Sequence, residues 1–323
     1  MSCELLTSDN HRLSRVTNEP EFLNSGFAIT CTASQQERIA TYIQASLAPN
    51  TRLAYTSDTT HFHQWGGSIP ASAEMVAAYL ADNACGLSVA TLSRRLAALS
   101  KLHKARDLPN PTETELVKMT MRGIKRVHGV SQRQARALMK DELFQVLDAM
   151  GDSLRDKRDK ALLLIGFSGG FRRSELVALN VDDIEHVLEG IVITIRKSKT
   201  DQMKAGRKIG VSFRQRKLCP VAAVDAWLER SEITEGAIFR SVDRHGNVGA
   251  ERLTGEAVSA ILRERMAIAG LNPKGYSGHS LRAGFVTNAA LSEQPLWKVR
   301  RQTGHMSDRI LERYVRSTQL FDN

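Results

Sequence analysis

Hydrophobic positions in the first third of the chain recur every three or four residues, the spacing that gathers them on one face of an α-helix. Residues 1–33 lack this period and read as a poorly structured arm. From Gln35 the pattern turns helical. A second helix starts at Asn50 or Thr51, carries Leu53, Tyr55 and Phe62, and is stopped by Gly66 and Gly67. Ser72 stands where an N-cap belongs for a third helix through Met75, Val76, Tyr79 and Leu80, which Gly86 ends. In the next, from Ser88 to about Arg106, Leu92, Leu96, Leu99 and His103 form one stripe, while Arg94 and Lys101 share the opposite face. Pro109 and Pro111 close it. A fifth helix from about Thr112 sets Val117, Met121 and Ile124 on one face and Lys118, Arg122 and Lys125 on an adjacent one.

Val127–Ala137 loses the hydrophobic period and is rich in Gly, Ser and Arg, as an interdomain linker would be. The expected organisation is an arm (1–33), a helical domain (34–126), a linker (127–138) and a second domain (139–323). In the second domain, Lys140–Met150 and Asp156–Phe167 read as helices on an apolar core, and Gly169-Gly170 breaks the latter. A short helix then carries Arg172 to Leu179. Ile191–Ile195 is β-branched throughout and Lys208–Phe213 alternates, so the two make an antiparallel hairpin around the loop Lys197–Arg207. A short strand at Ala237–Arg240 is expected to join that sheet. Pro220–Arg230, Thr254–Ala269 and three segments from about Ser280 onward read as helices. The fold class is mainly α with a small antiparallel β-sheet.

Composition narrows the partners. With 323 residues, 42% hydrophobic and 25% charged, the chain is long enough for two packed domains. Lys and Arg outnumber Asp and Glu by 45 to 35, a formal charge of +10 that favours nucleic acid or an anionic membrane. The longest apolar run, Ala161–Phe167, is far below the roughly 20 residues that span a bilayer. No basic-then-apolar leader opens the chain, so neither secretion nor membrane insertion is expected. Cys3, Cys31, Cys85 and Cys219 are scattered without a C-x-x-C pair, which suggests a reduced, cytoplasmic protein with neither structural zinc nor disulfides. The basic faces of Arg94 with Lys101, and of Lys118, Arg122 and Lys125, point in one small helical domain toward contacts with a DNA backbone.

Candidate chemistry lies in the second domain. Arg172, in GGFRRSEL, shares a helical face with Leu176 and Leu179 and sits one turn from Glu175. A charge on an apolar face must be paired, so this is either a structural ion pair or an arginine held rigid to meet an anion. His279 and Arg282, three apart, can address one point near a helix N-terminus, itself favourable to anions. His305 follows Gly304, and Tyr314 stands between charged residues. Singly, each has a structural explanation: a surface pair, a turn residue, a half-buried packing tyrosine. Together, two arginines, two histidines and a lysine around a tyrosine would neutralise a pentavalent phosphorane and move protons to and from it. No metal-ligand cluster, paired carboxylates or Walker loop is present, so two-metal nuclease chemistry and nucleotide hydrolysis are disfavoured and no cofactor is expected.

At these residues the sequence resembles the tyrosine recombinase (phage integrase) family, most closely its Cre-like members, over nearly the whole chain. GGFRRSEL resembles the first arginine box, with Arg172 catalytic and Glu175 supporting. IRKSKT is similar to the hairpin-loop lysine motif and implies Lys199 as general acid, preferred over Lys197 and Lys204 because SKT fits the motif. SGHSLRAGF is similar to the His-x-x-Arg box with His279 and Arg282, and GHMSDRILERYV to the last box, with His305 and, nine residues later, the nucleophile Tyr314. The resemblance implies a helical, SAM-like core-DNA-binding domain and a mixed α/β catalytic domain, closing as a C-shaped clamp on DNA.

It further implies transesterification through a 3′-phosphotyrosine link, without ATP. A homotetramer on two double-stranded inverted-repeat core sites would exchange strands through a Holliday junction, in service of a mobile element by cointegrate resolution, dimer resolution or integration and excision. Only nine residues follow Tyr314, fewer than Cre-like proteins carry, which raises the expectation of weak tetramer contacts or an accessory DNA-binding protein. Two other functions use the same residues. A type IB topoisomerase would relax DNA as a monomer, and a noncatalytic regulator would bind DNA without forming an adduct.

Overall fold

The helical starts are written in hydroxyl side chains. Thr32, Ser72 and Ser88 each accept the backbone N–H three residues on, at 3.3, 3.2 and 3.1 Å, which satisfies a donor that the first helical turn would leave unpaired. The computed structural model describes residues 32–130, 135–196, 206–215, 218–305, 307 and 311. The expected arm through residue 31 lies outside the described residues. Two compact units, Met1–Gln132 and Arg133–Asn323, make up the chain.

The first unit is helical: α1 (Ala33–Ala45), α2 (Pro49–Trp65), α3 (Ala73–Asn83), α4 (Val89–Ala105) and α5 (Glu115–His128), with a 3₁₀ turn at Pro111–Glu113. Gly66 ends α2 in the left-handed conformation (φ +108°), open to glycine without steric penalty. Phe62, Tyr79, Leu80, Leu92, Leu99, Val117, Met121 and Ile124 form the core. Each fully buried aliphatic or aromatic side chain of this kind contributes roughly 1.5–3 kcal/mol. Arg95, expected on no special face, is buried among them with its guanidinium donating to the Tyr79 hydroxyl at 2.8 Å.

The second unit contains α6 (Lys140–Asp148), α7 (Leu154–Gly169), α8 (Arg173–Ala178), β1 (Ile184–Val187), β2 (Gly190–Ile195), β3 (Arg207–Ser212), α9 (Pro220–Ser231), β4 (Arg240–Val242), β5 (Val248–Arg252), α10 (Gly255–Ile268), α11 (Gly278–Leu291) and α12 (Leu296–Thr303). α7 packs on α9 and α11. The antiparallel sheet runs β1-β2-β3, with Ile193 opposite Ile209 and Ile195 opposite Arg207. Ile191, Ile193 and Ile195 are buried at period two, which explains why IVITI is a strand.

Two expectations about strands need correction. β1 was not expected, because IEHV has one partly buried residue and no alternation. The segment at Ala237–Arg240 does not join the three-stranded sheet: Ala237 makes a single bridge to Asn180, while Arg240–Val242 pairs with Val248–Arg252 as a separate ribbon. Trp227 explains the displacement, since its indole N–H donates to the Ile238 carbonyl at 2.9 Å and draws that segment into the core. The first residues described after position 134 are already bound into this unit. The Arg136 and Leu138 N–H groups donate to the Gly275 and Ser280 carbonyls at 3.0 and 3.1 Å.

Candidate active site

The site is assembled where three helix ends meet. Gly170 terminates α7 in the left-handed conformation (φ +61°), and the chain turns through buried Phe171 into α8. Arg172 is therefore the N-cap of α8 (φ −70°, ψ 147°) rather than a residue within the helix, as its shared face with Leu176 and Leu179 suggested. The expected pair with Glu175 forms. Arg172 Nη1 donates to Glu175 Oε1 at 2.6 Å, and its backbone N–H donates to Oε2 at 3.0 Å. Its Nη2 reaches across to the Gly304 carbonyl at 3.2 Å.

α11 supplies the second arginine. Ser277 caps it by accepting from the His279 N–H at 3.3 Å, which places His279 in the first turn and Arg282 one turn deeper. Arg282 is 2% exposed, and its Nη1 donates to the Gly170 carbonyl at 2.8 Å. Its Nη2 lies 3.1 Å from His305 Nε2. α12 ends at Thr303, and Gly304 (φ +66°) turns the chain so that His305 faces this arginine.

The proton on His305 follows from its neighbours. The Thr303 hydroxyl donates its single proton to the Val299 carbonyl at 2.7 Å, so His305 Nδ1, 2.7 Å from the same oxygen, is the donor there. Nε2 is left as the acceptor for Arg282. Desolvation, followed by Arg282, Arg172, His279 and Arg207, pushes the His305 pKa down to about 3. The His279 pKa is lowered by desolvation and then by Arg282, Arg172 and Arg173. Both imidazoles are thus biased toward the neutral form in a cleft whose arginines favour an anion.

Arg172, Glu175, His279, Arg282 and His305, far apart in sequence, are brought together here. Lys199 and Tyr314 lie outside the described residues. The strand that follows the expected lysine loop opens with Arg207, which sequence reasoning did not single out. Arg207 Nη2 donates to Glu175 Oε2 at 2.9 Å and its Nη1 to the Thr303 carbonyl at 2.8 Å. A signal was available: Arg207 is in phase with buried Ile209 and Val211, so a charge occupies the inward face of a strand. Among the described residues, no group of three or more His, Cys, Asp or Glu could hold a metal ion.

The candidate DNA-contacting residues belong to the other unit. Lys118, Arg122 and Lys125 are exposed on α5, and Lys101 on α4. Arg94 is half exposed, but Asp58 grips it with two hydrogen bonds of 2.8 Å. Arg122 pairs with exposed Glu115 at 3.1 Å, a contact weak enough to yield to a phosphate. Among the described residues, no helix is long and apolar enough to cross a membrane.

Comparison with known proteins places the chain in a family. The model of the phage integrase family matches residues 136–320. An integrase/recombinase XerD homolog of Selenomonas ruminantium is 33% identical over 289 residues, covering 86% of this chain and 85% of that protein. Recombinase Cre of Escherichia phage P1 is 27% identical over 268 residues, 77% of each chain. Among solved structures, XerH site-specific recombinase bound to palindromic difH substrate in a post-cleavage complex superposes with a TM-score of 0.62. At 18% identity, over 91% of this chain and 86% of that one, this likeness speaks for the fold. The chain belongs to the phage integrase family of tyrosine recombinases, enzymes that break and rejoin DNA.

Proposed function

We propose that this chain is a site-specific recombinase that cleaves double-stranded DNA through a 3′-phosphotyrosine link and rejoins it to a second site. The observation that carries the reading is the convergence of Arg172, Arg282, His279 and His305, from three helix ends, on one anion-attracting cleft in a family member. In the proposed reaction, Tyr314 Oη attacks the phosphorus and its proton passes to His279. The bond to the 5′ oxygen breaks as Lys199 supplies a proton to it. Arg172 and Arg282 hold the nonbridging oxygens, with Glu175 fixing Arg172 and His305 aiming Arg282. The neutral state favoured at His279 supports its role as acceptor. A 5′-hydroxyl from the partner duplex then reverses the step, so bond energy is conserved and no nucleotide is consumed.

Two duplexes have four strands to cut, and each chain offers one nucleophile, so a tetramer on two inverted-repeat sites is the assembly proposed. Strand exchange in two rounds passes through a Holliday junction. Kinship with a phage recombinase supports service to a mobile element. Lys101, Lys118, Arg122 and Lys125 are proposed to contact DNA phosphates, and Arg94 to do so when Asp58 shares it. The test is a nicked suicide substrate bearing the element's core site. Wild-type protein is expected to form a covalent adduct that Tyr314→Phe abolishes while DNA binding persists. An adduct that survives Tyr314→Phe would overturn the assignment of the nucleophile. Two-site DNA yielding only relaxed circles would replace recombination by relaxation.

A further inference from the structure

Glu175 is 2% exposed and serves two arginines at once. Its Oε1 takes Arg172 Nη1 at 2.6 Å and its Oε2 takes Arg207 Nη2 at 2.9 Å. The same two arginines bind successive carbonyls at the end of α12, Arg172 that of Gly304 at 3.2 Å and Arg207 that of Thr303 at 2.8 Å. These carbonyls belong to the end of a helix, where the backbone carries partial negative charge and lacks internal donors. The result is a closed ring through the start of α8, the start of β3 and the end of α12. His305 is the next residue on that chain. A Cβ at Gly304 would overlap Arg207 Nη1, so the turn is shaped around this guanidinium.

We propose that Arg207 is a positioning residue for the transesterification, acting through Glu175 and the Thr303–Gly304 turn to set Arg172 and His305. The proposal rests on the recombinase reading above. Two physical consequences follow from the ring. First, a buried carboxylate paired with Arg172 alone would cancel its charge; sharing it with Arg207 leaves the three groups with a net positive charge toward a phosphate. Second, Arg207 is the first residue of β3, so the start of that strand is tied to the turn that carries His305. Arg207 also contributes to the depressed pKa of His305.

The experiment measures single-turnover cleavage of a suicide substrate at saturating protein, beside DNA affinity and thermal melting. Arg207→Gln is expected to slow adduct formation roughly 10- to 100-fold, the scale of a small misplacement of catalytic groups, with affinity changed less than about twofold. Arg207→Lys, which keeps the charge and one donor, is expected to cleave faster than Arg207→Gln and to recover most of the deficit. In the double variant with Glu175→Gln the two losses are expected not to multiply, because both act through one carboxylate. In the DNA-free protein, the His305 ring nitrogens are expected to shift by NMR in Arg207→Gln and to titrate at higher pH. Wild-type cleavage rates in Arg207→Gln, or fully multiplicative losses with an unmoved His305 resonance, would overturn the proposal. Should wild-type protein form no adduct, the recombinase reading fails on its own, and the His305 resonance still decides whether Arg207 sets that turn.

Discussion

His305 keeps its proton on Nδ1 because the Thr303 hydroxyl has already given its own to the Val299 carbonyl. Its Nε2 must therefore accept from Arg282, and protonation there would set two cations against each other. This has a consequence for stability. The folded pKa is about 3 and the ordinary value is 6.5, so between these pH values the unfolded chain binds more protons than the native one. Stability is then present above about pH 6.5 and falls as the pH drops toward 3. His305→Gln is expected to flatten this acid limb in denaturant titrations at pH 4–7, approximate bounds drawn from the same linkage. The lowered pKa of His279 acts on rate. If neutral His279 accepts the tyrosine proton, cleavage is expected to persist below pH 6.5 before it declines, and His279→Gln removes that limb of the pH–rate profile.

At the scale of elements, a glycine decides how closely α11 approaches the extended segment that leads into α6. A Cβ on Gly284 of α11 would overlap the Leu138 carbonyl, a backbone atom that cannot swing aside. Gly284→Ala is expected to destabilise the second unit by about 3 kcal/mol, measured by its own unfolding transition. The helices themselves were largely legible. Ser72, Ser88, Gly66 and Gly170 are local signals, and the structure uses each as a cap or stop. β1 and the β4–β5 ribbon were not legible, because short, exposed strands take their pairing from partners elsewhere in the chain rather than from an internal period. Arg172 shows the same limit: its pairing with Glu175 is local, but its place as an N-cap depends on where α7 stops.

For the whole molecule, the charge of +10 is an electrostatic statement about DNA rather than about the fold. Affinity for nonspecific duplex is expected to fall linearly in a log–log plot against salt. Replacing Lys118, Arg122 and Lys125 by Gln is expected to flatten the slope by about 0.9 for each phosphate no longer neutralised. A slope unchanged in the triple variant would move the DNA-binding face away from α5. Asp58, which holds Arg94 and lies 3.5 Å from Arg95, shows why counting basic residues overstates such a face, since a charge can be spent inside the unit.

The sequence by itself determined the helical periods, the caps and the order of the chemistry-bearing motifs, because these depend on neighbours within a few residues. It also carried the family likeness from which roles for Lys199 and Tyr314 are proposed. Only the tertiary structure decided that Arg207 belongs with Glu175, that Arg282 and His305 share one hydrogen bond, and on which nitrogen His305 keeps its proton. Each of these joins residues more than twenty positions apart or depends on the full set of donors around an atom. No local pattern encodes such a contact, because it exists only once the helix ends have met.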